Sequence, residues 1–588
     1  MDKNKFIRLS LISITLLSYF YIFNKPKNEN QPPIIPIVEA TMPLSSVGET
    51  DALIATPFAM ALKGEEKIVV VENELIKVFL STKGGGIKKV VLKKYKDNHD
   101  QELVLLDELS STMGFSFPCG NAVIKTNLLH FHIEGPVTHY TLQGTEQTKI
   151  IFRLELTPSQ YLEQSFEFLG NSYQINHSWK AVGMDAFLQK SNVSFFWNMD
   201  MKQVESDIKA DMSKSTINYY SSSQTFNSLK ENSTEIESKK IETPLKWVSL
   251  KQRFFSSAII AGDAFSNGDM RLTPTSAREN ITKTAALTLA LSEKNKEEGC
   301  GTFAFFFGPN EYKTLQKVTQ GFEQNMSLGW IVVKWVNQGL IIPLFSFLEK
   351  CFSNYGLVIF FLVIIIKLLL APLSYKSFVS MAKMKMVKPE LDKIKEKYGN
   401  NLQKMQSEQI TLYRELGINP LSGCVPILLQ MPILLAMFHF FPNAISLRKA
   451  SFLWAHDLST YDSIIKLPFT IPVYGSHISL FTLLMVLSTI LYSWSSNQNN
   501  PTEGPMKMLS YAMPVAFMVV LNSFPAGLSF YYFVSNIATF LQQTLIKKFL
   551  SEEGIKEKLD ATKKKGKQNE KISFQSRVTT KTTNKKKK

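Results

Sequence analysis

At 588 residues the chain is too long for one ordinary domain, and its 45% hydrophobic and 20% charged content is an average over an uneven distribution. The formal net charge of +16 is concentrated at the end, where fifteen Lys or Arg stand against five acids from Lys547 onward. The basicity is therefore a local tail and not a nucleic-acid-binding fold, which argues against specific DNA binding.

Taken in order, Lys3, Lys5 and Arg8 introduce the apolar run Phe6–Phe23, and Asn24-Lys25-Pro26-Lys27 closes it. No small-x-small cleavage site follows, so residues 1–27 read as an uncleaved membrane anchor with its basic end in the cytoplasm. Residues 28–65 are rich in Pro, Ser, Asn and Thr and read as a linker. Residues 66–325 contain no run long enough to span a bilayer. Short β-type runs such as Lys67–Val71, Leu75–Leu80, Ile87–Leu92, Lys149–Leu156 and Thr302–Phe307 are separated by turn residues, Gly84-Gly85-Gly86 among them. This pattern predicts a β-sandwich outside the membrane, with the Ser-, Asn- and Lys-rich interval Lys202–Lys246 as a surface insertion.

The four cysteines, Cys119, Cys300, Cys351 and Cys424, show no CxxC and no metal-ligand spacing. Cys119 and Cys300 share the β region, and whether they pair is open. His130, His132, His139 and His177 are scattered and form no paired-ligand helix. No Walker, GxSxG or zinc motif is present, so neither a cofactor nor an energy-coupling chemistry is indicated.

Residues 326–354 mix Trp330, Trp335, Leu344 and Phe345 with Lys334, Asn337 and Glu349, the pattern of an amphipathic helix lying in the headgroup region. The segment 355–546 then holds five apolar runs: Leu357–Leu373, Cys424–Phe441, Ile478–Trp494, Leu509–Phe524 and Leu528–Ile546. With the anchor these make six spans, five of them a core bundle, so both termini share one side. The loop 376–420 carries nine Lys or Arg and is expected in the cytoplasm with the basic tail 547–588. Its apolar residues recur at three- and four-residue spacings around Gly399-Asn400-Asn401, which predicts a helical hairpin. Met381, Met384 and Met405 give that hairpin an adaptable surface.

Lys367 lies inside the first of the five runs. A lysine at a helix centre is disfavoured by roughly 2.5–3.5 kcal/mol on insertion scales, so it marks a functional site until another reason is found. Ser529, Tyr532, Asn536, Thr539 and Gln543 share one face of the last run, and Thr482, Thr489 and Ser493 share one face of another. Gln430 and Asn522 add polar groups in the neighbouring runs. Two polar stripes and one lysine predict a hydrophilic cavity within the bundle. Such a cavity suits a protein that passes polypeptide into the bilayer, and it also suits a secondary transporter or channel for an anionic solute. The transporter reading calls for internal symmetry, which is not found. A membrane-anchored sugar enzyme would need paired acid/base residues in the β region, and no such pair is evident.

Several separated motifs, in order, complete the pattern. They are Met381-Ala382-Lys383-Met384, Asn419-Pro420-Leu421, Gly423-Cys424, Gln430-Met431-Pro432, Phe524-Pro525-Ala526-Gly527-Leu528, Tyr531-Tyr532 and Val534-Ser535-Asn536. In these, and in layout over essentially its whole length, the chain resembles the YidC/oxidase-assembly/Albino family of membrane protein insertases. The resemblance implies an insertase and chaperone without enzymatic turnover, in the bacterial inner membrane, with both termini cytoplasmic. It implies a periplasmic β-supersandwich, and as partners nascent membrane proteins, membrane lipid, the ribosome and the Sec translocon. Lys367 resembles the position where bacterial members usually carry Arg, keeping the charge but not the bidentate guanidinium geometry. One turn earlier, Val363 stands where some members have a polar residue. Tyr532 resembles a substrate-contacting position. On this reading the groove is lined by Lys367, Gln430, Thr482, Thr489, Asn522, Ser529, Tyr532, Asn536 and Thr539, and Met437, Phe438 and Met485 form an apolar slide toward lipid.

Overall fold

The computed structural model describes residues 53–549, apart from positions 55, 121, 134, 136, 185–192, 276–279, 400, 417–424, 473 and 500–504. The expected anchor, the first part of the linker and the tail beyond residue 549 lie outside the described residues. The chain divides into two compact units, with the boundary between Ser327 and Leu328.

The first unit is built from three sheets. The nine-stranded sheet runs, in spatial order, Phe226–Ser228, Thr216–Ser221, Leu245–Lys251, Phe255–Phe265, Cys300–Pro309, Gln174–Val182, Gln160–Leu169, Gln147–Thr157 and His132–Ile133. The six-stranded sheet runs Glu237–Ile241, Asn267–Pro274, Ile281–Ala290, Ser194–Lys202, Ser111–Cys119 and Ala122–Lys125. Period-two alternation sends Phe195, Trp197, Met199 and Met201 to one buried face, and Phe303, Phe305 and Phe307 to another. The two faces meet ring to ring. Phe115 lies 5.5 Å from Trp179, Phe195 lies 5.9 Å from Phe305, and Trp197 lies 6.2 Å from both Phe305 and Phe307. This aromatic layer is the core of a β-supersandwich, as expected. A third sheet of five strands includes Ile68–Glu72, Ile76–Ser81 and Gly86–Lys96, and Gly84 and Gly85 turn between the last two at φ +87° and +56°.

Two expectations fail here. The β unit starts earlier than residue 66. Phe58 is buried with its ring 5.6 Å from Phe117, and the His130 amide donates to the Ala61 carbonyl at 2.7 Å. Nor is Lys202–Lys246 a surface insertion, because Thr216–Ser221 is buried at every position and pairs with Leu245–Lys251. Its polar groups are satisfied internally: Asn218 Nδ2 donates to Asn325 Oδ1 at 2.9 Å, and Thr216 Oγ1 donates to the Leu229 carbonyl at 2.8 Å. Composition alone does not distinguish such bonded polar residues from solvated ones.

The second unit is helical. Helix α1 (Ile331–Val336) passes through a wide turn at Asn337–Ile341 into α2 (Ile342–Cys351). Then come α3 (Tyr355–Met386), α4 (Lys388–Tyr398), α5 (Leu402–Glu415), α6 (Val425–Phe440), α7 (Leu480–Asn499), α8 (Pro505–Leu521) and α9 (Ala526–Phe549). The five expected runs are helices α3 and α6–α9. Among the described residues two helices are long and apolar enough to cross a membrane, Ile331–Cys351 and Tyr355–Met386. The first therefore has the length and composition of a span as well as the pattern of an interfacial helix. Its inner face packs Phe345 against Phe440 at 4.9 Å, and its outer face exposes Trp330, Ile331 and Trp335, the last by 75%.

The helical hairpin is present, with one difference. Helix α3 runs on through Met381 and Met384 to Met386, and the break comes at Val387, where Lys388-Pro389 starts α4. Met384 and Met386 pack with Val387, Leu391, Leu412, Tyr413 and Leu416 in the seam of the hairpin, and Met381 and Met405 are half-buried.

Candidate functional site: polar residues of the helical unit

Helices α3, α7 and α9 start at one end of the unit, and α6 and α8 finish there. Segment 441–479 folds over that end. Phe452 meets the ring of Phe530 at 4.9 Å and lies so close to Gly356 that any β-carbon there would sit 2.0 Å from the ring. The amides of Ala526 and Gly527 donate to the Thr460 and Leu458 carbonyls at 2.6 and 2.9 Å.

Beneath this cover is a buried polar network centred on Asp462. One of its oxygens accepts from the Leu480 and Phe481 amides at 2.9 and 3.1 Å and from the Trp454 indole at 2.9 Å. The other accepts from Ser479 Oγ at 2.5 Å. Asp462 thus satisfies orphan donors at the start of α7 from eighteen and nineteen residues away, while Ser479 caps the same end locally by accepting from the Thr482 amide at 3.0 Å. Ser479 Oγ also lies 2.9 Å from Thr482 Oγ1, which in turn lies 3.2 Å from Ser529 Oγ. Asn522 closes the network. Its amide nitrogen donates to the Tyr474 and His477 carbonyls, and its oxygen accepts from the Ser479 amide. The His477 ring stacks on Tyr461 at 3.7 Å.

Three of the expected groove residues, Thr482, Asn522 and Ser529, therefore belong to a buried polar network at one end of the bundle, each at most 2% exposed. Asp462, Ser479 and Trp454 escaped sequence reading. Ser479 had a signal, a capping residue directly before the apolar run; Asp462 had none, because its role depends on a contact across the loop.

A second group lies deeper. At 1.5 Å rise per residue, Lys367 is about 18 Å along α3 from Tyr355, Thr489 about 14 Å along α7 from Leu480, Asn536 about 15 Å along α9 from Ala526, and Gln430 about 15 Å back along α6 from Phe440. All four stand near half the roughly 30 Å thickness of a hydrocarbon core. Asn536 bridges α9 to α7, donating to Thr489 Oγ1 at 2.8 Å and Ser488 Oγ at 3.0 Å. Tyr532 ties α9 to α6 through its hydroxyl, which donates to the Leu434 carbonyl at 3.3 Å. Thr539 turns its hydroxyl back to the Ser535 carbonyl, and Gln543 Oε1 is buried without a protein partner among the described residues. Lys367 is half-buried and makes no ion pair or hydrogen bond among the described residues. Val363, one turn before it, is buried.

The apolar residues expected to form a slide lie inside the bundle. Met437 is fully buried, and Met485 packs with Val486 and Leu521 against Phe438, Phe524 and Tyr532. Their role in this arrangement is to hold α6, α7, α8 and α9 together. The apolar side chains exposed on the unit's surface are others, among them Leu368 and Leu369 on α3 and Leu487 and Leu491 on α7.

The β unit offers no comparable arrangement. His177 is enclosed by Phe115, Phe166, Phe303 and Phe305, and neither ring nitrogen has a partner among the described residues, so burial pushes its pKa down to about 3. His132 and His139 lie on strands of different sheets, and Cys119 and Cys300 are free thiols.

Comparison with known proteins gives two family matches. Residues 347–553 match the family described as the 60Kd inner membrane protein, and residues 68–343 match the YidC periplasmic domain. Among curated proteins, the membrane protein insertase YidC of Amoebophilus asiaticus is 50% identical, covering 98% of each chain. That of Cytophaga hutchinsonii is 40% identical over 96% of this chain and 94% of its own, and that of Parabacteroides distasonis 32% identical over 96% and 95%.

Proposed function

The chain belongs to the YidC family of membrane protein insertases, and we propose that Lys367 is the charge around which its insertion step is organised. Its work is non-enzymatic: it takes newly made membrane proteins and places them in the inner membrane. The solute-transporter reading has no support. The observation that carries the role of Lys367 is its position, unpaired among the described residues and level with Gln430, Thr489 and Asn536, in a bundle sealed at one end by the Asp462 network.

In this reading the polar mid-depth residues hold water, which shortens the hydrocarbon path that a polar flank of the substrate must cross. Lys367 attracts acidic residues of that flank. The seal stops the substrate and its water from passing straight through, so the exit is sideways into lipid. The driving force is burial of the substrate's own apolar surface, helped by the membrane potential acting on its negative charges. Tyr532, fixed between α6 and α9, stands where an entering helix would separate those two elements. The hairpin α4–α5 and the basic tail face the cytoplasm in this reading, with the β unit in the periplasm. The tail is then available to ribosomal RNA or anionic lipid, and the ribosome and the Sec translocon are the partners that deliver substrate.

The test is photo-crosslinking from a probe at Tyr532 to a ribosome-stalled, single-span nascent chain in membrane vesicles. The expected result is a crosslink that falls in a Lys367→Glu background and persists with Lys367→Arg. A crosslink equally strong in the Glu background would remove Lys367 from the mechanism.

A further inference from the structure

Segment 441–479, which covers one end of the bundle, closes with a two-stranded antiparallel hairpin, Ile465–Ile471 paired with Gly475–Ile478. In sequence Ile465, Leu467, Phe469 and Ile471 alternate with Lys466, Pro468 and Thr470, the pattern of a strand with one apolar face. Protein does not cover those apolar side chains. Phe469 is 61% exposed, Ile465 51%, Ile464 just before it 44% and Ile471 38%, with Leu467 half-buried. The base of the hairpin is nonetheless firmly held. Asp462 and Ser479, which flank it, belong to the buried polar network, and Asn522 donates to the Tyr474 and His477 carbonyls at 3.0 and 2.8 Å. An exposed apolar cluster of this kind on a fixed base marks an interaction surface.

Two further observations say what covers it. The pairing slips between Lys466 and Ile471, and Pro468, which has no N–H to offer, lies in the slipped stretch. Both features oppose the addition of another strand, so the occupant is not a β-edge of a second chain. The level of this end relative to the bilayer is marked separately by Trp330, which is 58% exposed with its ring 6.1 Å from His439, the penultimate residue of α6. Exposed tryptophans at the ends of apolar helices sit at the headgroup level. The hairpin begins from that level, because Ile478 is followed at once by Ser479 and the first residue of α7, Leu480. From Ser463 to Ser479 the chain carries Lys466 and His477 but no acid, a balance suited to lipid phosphates.

We propose that the hairpin is an interfacial anchor, whose side chains Ile464, Ile465, Phe469 and Ile471 enter the boundary between headgroups and acyl chains to a depth of about 5–10 Å. Lys466 meets the lipid phosphates beside them. Because the base of the hairpin is bonded into the Asp462 network, the anchor ties that network to the bilayer surface.

The experiment uses the full chain in a cysteine-free background, reconstituted in vesicles of phosphatidylethanolamine and phosphatidylglycerol. A nitroxide is attached through Phe469→Cys or, as an aqueous reference, through Leu109→Cys in the β unit, where Leu109 is 88% exposed. Both side chains are exposed, so neither label displaces packing. Collision with oxygen, which concentrates in lipid, is compared with collision with a water-soluble nickel chelate. The oxygen-to-nickel ratio is expected to be at least about fivefold higher at position 469 than at position 109. Equal ratios would put the hairpin in water and overturn the proposal. A label at position 469 that neither collider reaches, or whose spectrum sharpens when labelled chain is diluted with unlabelled chain, would show that protein covers the hairpin, which also overturns it. Lys466→Glu is expected to lower the ratio at position 469 about twofold in these vesicles, and an unchanged ratio would overturn the contact with lipid phosphate.

Discussion

The β unit and the helical unit treat buried charge in opposite ways. In the β unit, Lys251 is buried against Glu231 at 2.6 Å, and Lys283 donates to the Ser215 and Glu231 carbonyls at 2.8 and 2.6 Å. Each ammonium there has a partner supplied by the fold itself, as buried charge requires. At the sealed end of the helical unit, Asp462 is likewise surrounded by donors. Lys367 is different. No described group of the protein answers it, and it stands in the part of the bundle where an unanswered charge is most expensive. Lys251, Lys283 and Asp462 each find partners within the fold, whereas Lys367 finds none among the described residues, as its proposed role in meeting an arriving acidic flank requires.

The contrast breaks most directly at Lys367. Reversal by Lys367→Glu should reduce insertion of a substrate with an acidic flank by at least about tenfold in reconstituted vesicles, since roughly 1.4 kcal/mol corresponds to each factor of ten. Lys367→Arg should stay within about twofold of wild type. If Lys367→Met is as active as Lys367→Arg, the charge is incidental.

Asp462 gives the next largest effect, on the opposite side of the comparison. Asp462→Ala leaves the Trp454 indole and two amides at the start of α7 without acceptors in a buried place, a loss of roughly 3 kcal/mol. The helical unit should melt several degrees lower. In a cysteine-free background, a Ser529→Cys reporter should become reactive to a membrane-impermeant maleimide added from the sealed end, whereas it stays protected with Asp462 present. Asn536→Leu should be milder. It keeps the bulk but removes the bridge to Ser488 and Thr489, and about 1 kcal/mol and a two- to fourfold loss of insertion rate are expected. A loss confined to stability, with insertion unchanged, would make Asn536 a strut only.

The same contrast explains what the sequence disclosed. Lys367 was legible because one charge in an apolar run of seventeen residues has no bland explanation, and the five helices were legible because apolar length is a composition property. The β-sandwich followed from period-two runs such as Thr302–Phe307, which the structure extends to Cys300–Pro309. What stayed hidden depends on partners distant in sequence. A threonine in an apolar helix reads the same whether it lines water or bonds to Ser529, so the pattern alone puts Thr482 in the groove. Met437 and Met485 are buried where a slide toward lipid is expected, because helical periodicity gives faces without saying which face meets protein. Asp462 sits in a loop with no periodicity at all. Phe58, in a stretch rich in linker residues, was invisible until Phe117 was seen beside it.

A pH effect sharpens the comparison within the β unit, where two buried groups lack full compensation. Burial pushes the Asp211 carboxyl up to about 7, reinforced by Glu205, although the Val204 and Glu205 amides and the Arg253 charge pull the other way. Burial pushes His177 down to about 3. For Asp211 the folded pKa lies above the ordinary 3.8, so its contribution is full below about 4 and is lost as pH rises toward 7. For His177 the folded pKa lies below the ordinary 6.5, so its contribution is full above 6.5 and is lost as pH falls toward 3. Between pH 4 and 6.5 the two slopes have opposite sign and nearly equal size, and the melting midpoint of the β unit should be almost flat there. Asp211→Asn keeps the shape and removes one slope, so the midpoint should now fall as the pH is lowered from 6.5 to 4. His177→Phe removes the other, so the midpoint should fall as the pH is raised over the same interval. If both variants stay as flat as wild type, neither group is held away from its ordinary protonation, and the β unit tolerates buried charge as Lys367 does.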